Sequence, residues 1–156
     1  MAVSTDLKAY LDHNGVQYQV LTHDRALTAL EVAQKQGVPG KQVAKTVVVK
    51  ADGQYLLAVL PSIYKVNLPE LGKAVGARDI ALAAEIEFKN LFPDCELGGM
   101  SPLGPLYHLK TWVDESLTMD KEIVFNAGSH TETIKMSYKD FERLVRPRVG
   151  NFGIRI

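Results

Sequence analysis

The chain has 156 residues, 46% of them apolar and 23% charged, and its 18 basic side chains are balanced by 18 acidic ones. This composition fits a single globular domain over residues 1–156 with a sizeable core, and the absence of net charge argues against coating long stretches of nucleic acid through a uniformly positive surface. No apolar run approaches the roughly 20 residues of a membrane span, and the start Met1-Ala2-Val3-Ser4 lacks the regions of a signal peptide, so a cytoplasmic protein is expected. Cys95 is the sole cysteine, which excludes an intramolecular disulfide and a cysteine-based metal cluster and leaves a structural or semi-exposed thiol as the reading.

Ser4 and Thr5 can cap a first helix through about Asn14, with Leu7, Tyr10 and Leu11 on one face and Gly15 as its stop. Val16 to Leu21 reads as a strand. Thr28-Ala29-Leu30-Glu31 has capping-box spacing and opens a second helix that stops at Gly37, before Pro39-Gly40 turns the chain. Val43 to Val49 is the next strand, and Ala51-Asp52-Gly53 turns it into Gln54 to Leu60, apolar almost throughout and therefore covered on both sides. These two strands should be central. Asn67-Leu68-Pro69-Glu70 starts a helix that ends near Gly76, and Ala83 to Leu91 reads as another, closed by Pro93. A Gly/Pro loop from Gly98 to Pro105 precedes strands around Tyr107 to Trp112, Glu122 to Asn126 and His130 to Met136, the last two joined by Ala127-Gly128-Ser129. Ser137 to Asp140 caps a final helix through Val145. The pattern predicts an α/β (α+β) domain with a central mixed, partly barrel-like sheet flanked by short helices.

Lys45 is a lone cation in an otherwise largely apolar strand and shares its face with Val43, Val47 and Val49. An unpaired buried ammonium is expensive, so Lys45 should point into a polar cleft or at an anion. Gly98-Gly99-Met100-Ser101-Pro102-Leu103-Gly104 places three glycines in seven residues. Such a loop lets the backbone approach a ligand closely and aim its amides at a carbonyl or phosphate oxygen, although a plain turn has the same composition. His130 follows a glycine-containing turn and reads either as a core hydrogen-bonding residue or as a functional one. His13, His23 and His108 have no partner at metal-ligand spacing, so neither a metal nor a cofactor is expected. There is no Walker loop, no GxSxG elbow and no GxGxxG. An enzyme built from these parts would position and polarise more than attack, with Lys45 as electrostatic clamp, loop amides as oxyanion donors and His130 orienting the substrate for hydrolysis by water. Arg143, Arg146, Arg148 and Arg155 form an uneven basic C-terminus, readable as a solvated tail or as a phosphate-gripping patch.

Three landmarks occur in order: Val43-Ala44-Lys45-Thr46-Val47-Val48, the Gly98 to Gly104 loop, and Asp114-Glu115-Ser116-Leu117 leading to Phe125-Asn126-Ala127-Gly128-Ser129-His130-Thr131-Glu132. Together they resemble the YbaK-like family, stand-alone relatives of the editing insertion domain of bacterial prolyl-tRNA synthetase, over nearly the whole chain. The resemblance implies trans-editing, the hydrolysis of the ester joining a wrong amino acid to the terminal adenosine of a tRNA, which serves where a synthetase pocket separates one methylene by only roughly 1 to 3 kcal/mol. It implies that Lys45 sits by the 3′ end of the tRNA, that the stretch from Gly98 to Pro102 holds the aminoacyl ester by its backbone, and that His130 helps to shape the amino-acid pocket. Water, assisted by a ribose hydroxyl of the substrate, is the implied nucleophile. Leu27, Thr28, Val47, Met100, Ser101, Gly128 and Ser129 are candidate substrate contacts. The stretch Asn126 to His130 departs from the more basic, glycine-richer sequence of cysteinyl-tRNA-editing members, which favours alanine or another small side chain, on tRNA(Pro) as the expected carrier. The expected partners are the charged tRNA end and, for delivery, an aminoacyl-tRNA synthetase. The alternatives are a catalytically silent module that senses a nucleotide, a charged tRNA or a synthetase through the same cleft, and a structural protein in which Lys45 snorkels to solvent.

Overall fold

The computed structural model describes residues 5–23, 26, 28–92 and 99–155, so the expectations for Leu27, Pro93, Cys95 and Gly98 lie outside the described residues. Its centre is the hairpin of β2 (Ala44–Ala51) and β3 (Gln54–Pro61), antiparallel from Ala44 opposite Pro61 to Ala51 opposite Gln54. Asp52 and Gly53 turn it with φ of 49° and 83°, the left-handed pair that matches the twist of flanking strands. As the apolar run predicts, Leu56 to Pro61 of β3 is buried throughout. Among the described residues this hairpin lies inside a five-stranded sheet of order β5-β2-β3-β6-β9, with β5 at Ile80–Leu82, β6 at Lys110–Asp114 and β9 at Arg148–Gly150. β6 runs parallel to both β3 and β9, so the sheet is mixed.

A second sheet of order β1-β8-β7 is antiparallel, built from Tyr18–Thr22, Glu132–Ser137 and Glu122–Asn126 respectively. A parallel bridge from Val43 to Val124 connects its β7 edge to the start of β2. β10 (Gly153–Arg155) pairs with β4 (Tyr64–Val66) in a small separate ladder.

The helices begin where their capping residues place them. Thr28 accepts from the Glu31 amide at 3.1 Å to open α2 (Ala29–Gln36), and Gly37 closes it at φ 66°. Asn67 accepts from Glu70 N at 3.2 Å to open α3 (Leu68–Val75), and Ser137 from Asp140 N at 3.1 Å to open α5 (Tyr138–Val145). α1 spans Thr5–His13 and buries Leu7 and Leu11 fully. The five-stranded sheet has apolar side chains on both faces: Ala44, Val48, Leu57, Val59 and Val113 pack with α1, α5 and the antiparallel sheet, while Val49, Leu56, Ala58, Leu60 and Trp112 pack under Leu71 of α3.

Three expectations change. The helix expected over Ala83 to Leu91 shortens to α4 (Glu85–Phe88), because the chain before it is drawn onto β2 as β5, with Val49 opposite Leu82 and the Ala83 amide donating to Val48 O at 3.0 Å. The strand expected from Tyr107 starts only at Lys110, since Gly104–Tyr107 forms a 3₁₀ turn that His108 ends at φ 60°. His130 stands before β8 and not within it: the ladder closes at Asn126 opposite Thr133, and beyond it the Gly128 amide and the His130 and Thr131 carbonyls bond to Gly99, Ala26 and His23.

Candidate active site

The turn between β7 and β8 and the stretch from Gly99 to Leu103 are held against each other by backbone. Gly128, at φ 95°, donates its amide to Gly99 O at 2.8 Å. A Cβ placed on Gly99 would meet Ser129 C, N and O at 3.0 Å each, so glycine is required here for closeness of approach. Met100, Ser101, Pro102 and Leu103 are buried, and Met100 and Leu103 pack with Ala44 of β2, Phe125 of β7 and Ala127. The Ser101 hydroxyl lies 2.8 Å from the Tyr107 hydroxyl, in contact with a phenol rather than with a general base. A serine nucleophile needs such a base, and Ser101 is bound by another hydroxyl instead.

His130 is 5% exposed and clamped to the segment before α2. Its Nδ1 lies 3.1 Å from Ala26 O, and its own carbonyl accepts from the Ala26 amide at 2.9 Å. A carbonyl can only accept, so Nδ1 carries the proton on this contact, which fixes the ring's orientation. The His23 amide donates to Thr131 O at 2.8 Å in the same crossing. Ser129 is fully buried, and its hydroxyl accepts from the Thr131 amide at 3.4 Å. Ala26 and Tyr107 are the residues that sequence reasoning missed; only the tyrosine, a polar aromatic beside a Gly/Pro loop, left a sign of itself.

Lys45 opposes Leu60, and strand alternation puts both on the face that carries Val47 and Val49. The Gly99 to Leu103 stretch packs against the other face, with Ala44 and Val48. Lys45 is half-buried near the start of β2, two residues after the Val43–Val124 bridge, where the two sheets meet. Desolvation holds its ammonium below the usual lysine range, and no acid among the described residues pairs with it. Thr46, next along, points to the loop's face, and its Oγ1 is buried without a hydrogen-bond partner. Val47 packs against the cluster under α3, on the face away from Met100, and Thr28 is exposed with its hydroxyl on the Glu31 amide and carboxylate.

The third landmark has a structural centre. Asp114 is 2% exposed and accepts from Phe152 N at 3.0 Å, Gly153 N at 2.7 Å and Ser116 N at 3.2 Å, with the Ser116 hydroxyl as a further donor. It fixes the end of β6 to the strand that follows Phe152. Among the described residues no group of three or more metal-ligating side chains converges, and no helix is long and apolar enough to cross a membrane.

Two Escherichia coli proteins, from strain K12 and from O157:H7, each described as a multifunctional Ser/Thr-tRNA deacylase ProXp-y, are 29% identical to this chain over 151 residues, covering 94% of it and 90% of their own length. The fold is that of a candidate trans-editing enzyme for prolyl tRNA synthetase, with a TM-score of 0.82 at 20% identity over 98% of this chain and 99% of that one. It is equally that of the hypothetical protein APE2540, with a TM-score of 0.85 at 20% identity over 96% and 99%. The sequence profile of the aminoacyl-tRNA editing domain matches residues 23–144, a span that carries Lys45, the Gly99 loop and His130, and the chain therefore belongs to that family of editing domains.

Proposed function

We propose that this editing domain removes serine or threonine, attached by mistake, from the 3′ end of a tRNA in the cytoplasm. Hydrolysis of the aminoacyl ester in a mischarged tRNA is the reaction of the family. The observation that carries the assignment to this site is the backbone contact of Gly99 with the Gly128–Ser129 turn, which holds the glycine loop and the turn before His130 against each other. In this reading the loop amides from Gly99 to Ser101 hold the ester and its developing oxyanion. One well-aimed oxyanion donor contributes about 2.7 to 4 kcal/mol to the transition state. His130, fixed through Nδ1 on Ala26, shapes the pocket for the amino acid together with Met100 and Ser129. Lys45, desolvated, without a counter-ion among the described residues and on the face of β2 opposite the loop, takes the phosphate next to the terminal adenosine where the two sheets meet. A water molecule, activated by the ribose hydroxyl of the substrate, attacks the carbonyl carbon; the ester C–O bond breaks, and the ribose oxygen leaves with a proton.

Two observations support a hydroxylated amino acid over alanine. The curated relatives are described as Ser/Thr-tRNA deacylases. Thr46 Oγ1 is buried without a partner on the face against which the loop packs, where a substrate hydroxyl would satisfy it. A site built to bond a hydroxyl rejects the analogue lacking it far more strongly than an apolar pocket rejects one methylene. The test is deacylation of Ser-, Thr-, Ala- and Cys-tRNA(Pro) beside Pro-tRNA(Pro) by wild type, Lys45→Ala and Thr46→Val. Lys45→Ala should lose turnover while staying folded. Thr46→Val should lower the preference for Ser over Ala by at least about tenfold, the worth of one hydrogen bond of about 1.4 kcal/mol. Release of alanine in preference to serine by the wild type would refute the hydroxyl assignment, and release of nothing would refute the activity.

A further inference from the structure

We infer that Lys110, Arg146 and Arg148 form a second contact with tRNA, away from the ester, that grips phosphates of the acceptor stem; the inference rests on the editing reading above. The four arginines near the C-terminus do not form one patch in the fold. Arg143 is paired with Asp140 at 3.5 Å, and Arg155 lies on β10 beside Tyr64 and Glu115. Arg148 and Arg146 instead join Lys110, which is distant in sequence, because β9 pairs with β6 and sets Arg148 opposite Trp112. Two adjoining grooves share Lys110, Trp112 and Arg148: one of about 330 Å³ under Ala74 and Val75 of α3, and one of about 210 Å³ beside Val145, which adds Arg146. Neither groove is lined by an acidic residue, and all three cations are exposed and without an ion pair among the described residues. The nearby acid on Tyr55, Glu87, is taken by Lys50 at 3.3 Å. A zero-charge chain thus keeps three uncompensated cations around one aromatic wall, an arrangement that suits a polyanion with planar groups.

Arg146 supplies an independent sign. It ends α5 in the left-handed region, at φ 49° and ψ 55°, where glycine is the usual residue. Strain of this kind persists where the surrounding structure holds the residue, and it gathers at ligand clamps. The position fits tRNA in particular. Lys110 opposes Leu56 of β3, four residues along from the Leu60 that opposes Lys45. That is about 13 Å along the strand and about 10 Å across two strand spacings, on the same face of the sheet. A group so far from Lys45 does not touch the terminal ester; the phosphates that lie behind it are what it can reach.

The experiment uses the full chain and a fluorescein-labelled, unacylated tRNA(Pro) transcript, followed by anisotropy between about 50 and about 200 mM salt. Each lost phosphate contact lowers the slope of log K against log salt by about one. The double variant Lys110→Ala/Arg148→Ala should therefore lower it by about two, so that its binding defect is about tenfold larger at the low-salt end. Arg146→Gly should weaken binding while its melting temperature holds or rises, since glycine suits the turn. In deacylation, the double variant should lose at least about fivefold more kcat/KM on seryl-tRNA(Pro) than on a seryl-CCA trinucleotide, which has no stem. A double variant that binds with the reduced slope, beside a wild type that cleaves neither ester, keeps the patch and refutes the editing reading. A wild type that edits, with variants whose slopes match it, overturns the patch. Arg146→Gly that melts earlier and binds unchanged removes Arg146 from it.

Discussion

Gly99→Ala tests the seat of the site most directly. The added methyl meets three backbone atoms of Ser129 at 3.0 Å, about 0.4 Å inside ordinary van der Waals contact, and backbone cannot rotate away as the end of a side chain can. Gly99 is not at positive φ, so the perturbation is steric, without a change in backbone preference. Either the loop or the turn must retreat by a few tenths of an ångström, which stretches the 2.8 Å bond from Gly128 N to Gly99 O. Overpacking of this kind costs about 1 to 3 kcal/mol, and a chain of this length shifts its melting temperature by about 2 to 4 °C per kcal/mol. Misplacing positioning groups costs rate more steeply, about 100-fold for a displacement of about 1 Å. Calorimetry should therefore show a moderate fall in melting temperature, and deacylation measured well below that temperature should show kcat reduced by about tenfold or more with a smaller change in KM. A variant that melts and turns over like wild type would refute the argument that this glycine is held by close approach of the turn.

Two further outcomes follow from buried polar groups. Asp114→Ala removes the acceptor of three backbone amides, one of them on the buried Phe152, and should lower stability by about 2 to 4 kcal/mol in urea unfolding, whereas Ser116→Ala, which leaves those amides bonded, should cost less than about 1 kcal/mol. Tyr138 is 5% exposed, its hydroxyl has no hydrogen-bond partner, and burial pushes its pKa from 10.0 up to about 12. The unfolded chain then loses this proton first, so the contribution of the neutral phenol is intact below pH 10 and is lost as the pH rises from 10 to about 12. Tyr138→Phe should melt at or slightly above wild type at neutral pH and fall less steeply across that alkaline window; parallel melting curves across it would show that the phenol does not titrate with unfolding.

Local chemistry announces much of this fold. Thr28, Asn67 and Ser137 are each followed three residues later by the amide they cap, and the Asp52-Gly53 turn with apolar flanks specifies the central hairpin before any tertiary contact exists. The same residues carry the family resemblance, because the Lys45 strand, the glycine loop and the turn before His130 are contiguous segments, each readable by itself. β4, β5, β9 and β10 were not legible, since three residues have no measurable periodicity and become strands only when a partner from elsewhere supplies their hydrogen bonds. The interior of the site was equally invisible. That Gly99 abuts Ser129, that His130 is fixed by a main-chain oxygen of Ala26, and that Asp114 holds amides 38 and 39 residues away are facts of long-range packing between segments that carry no mark of one another. Lys45 divides the two levels: its sequence shows that a cation is embedded in an apolar strand, while only the pairing of β2 with β3 and the packing on each face decide that it lies across that strand from the loop.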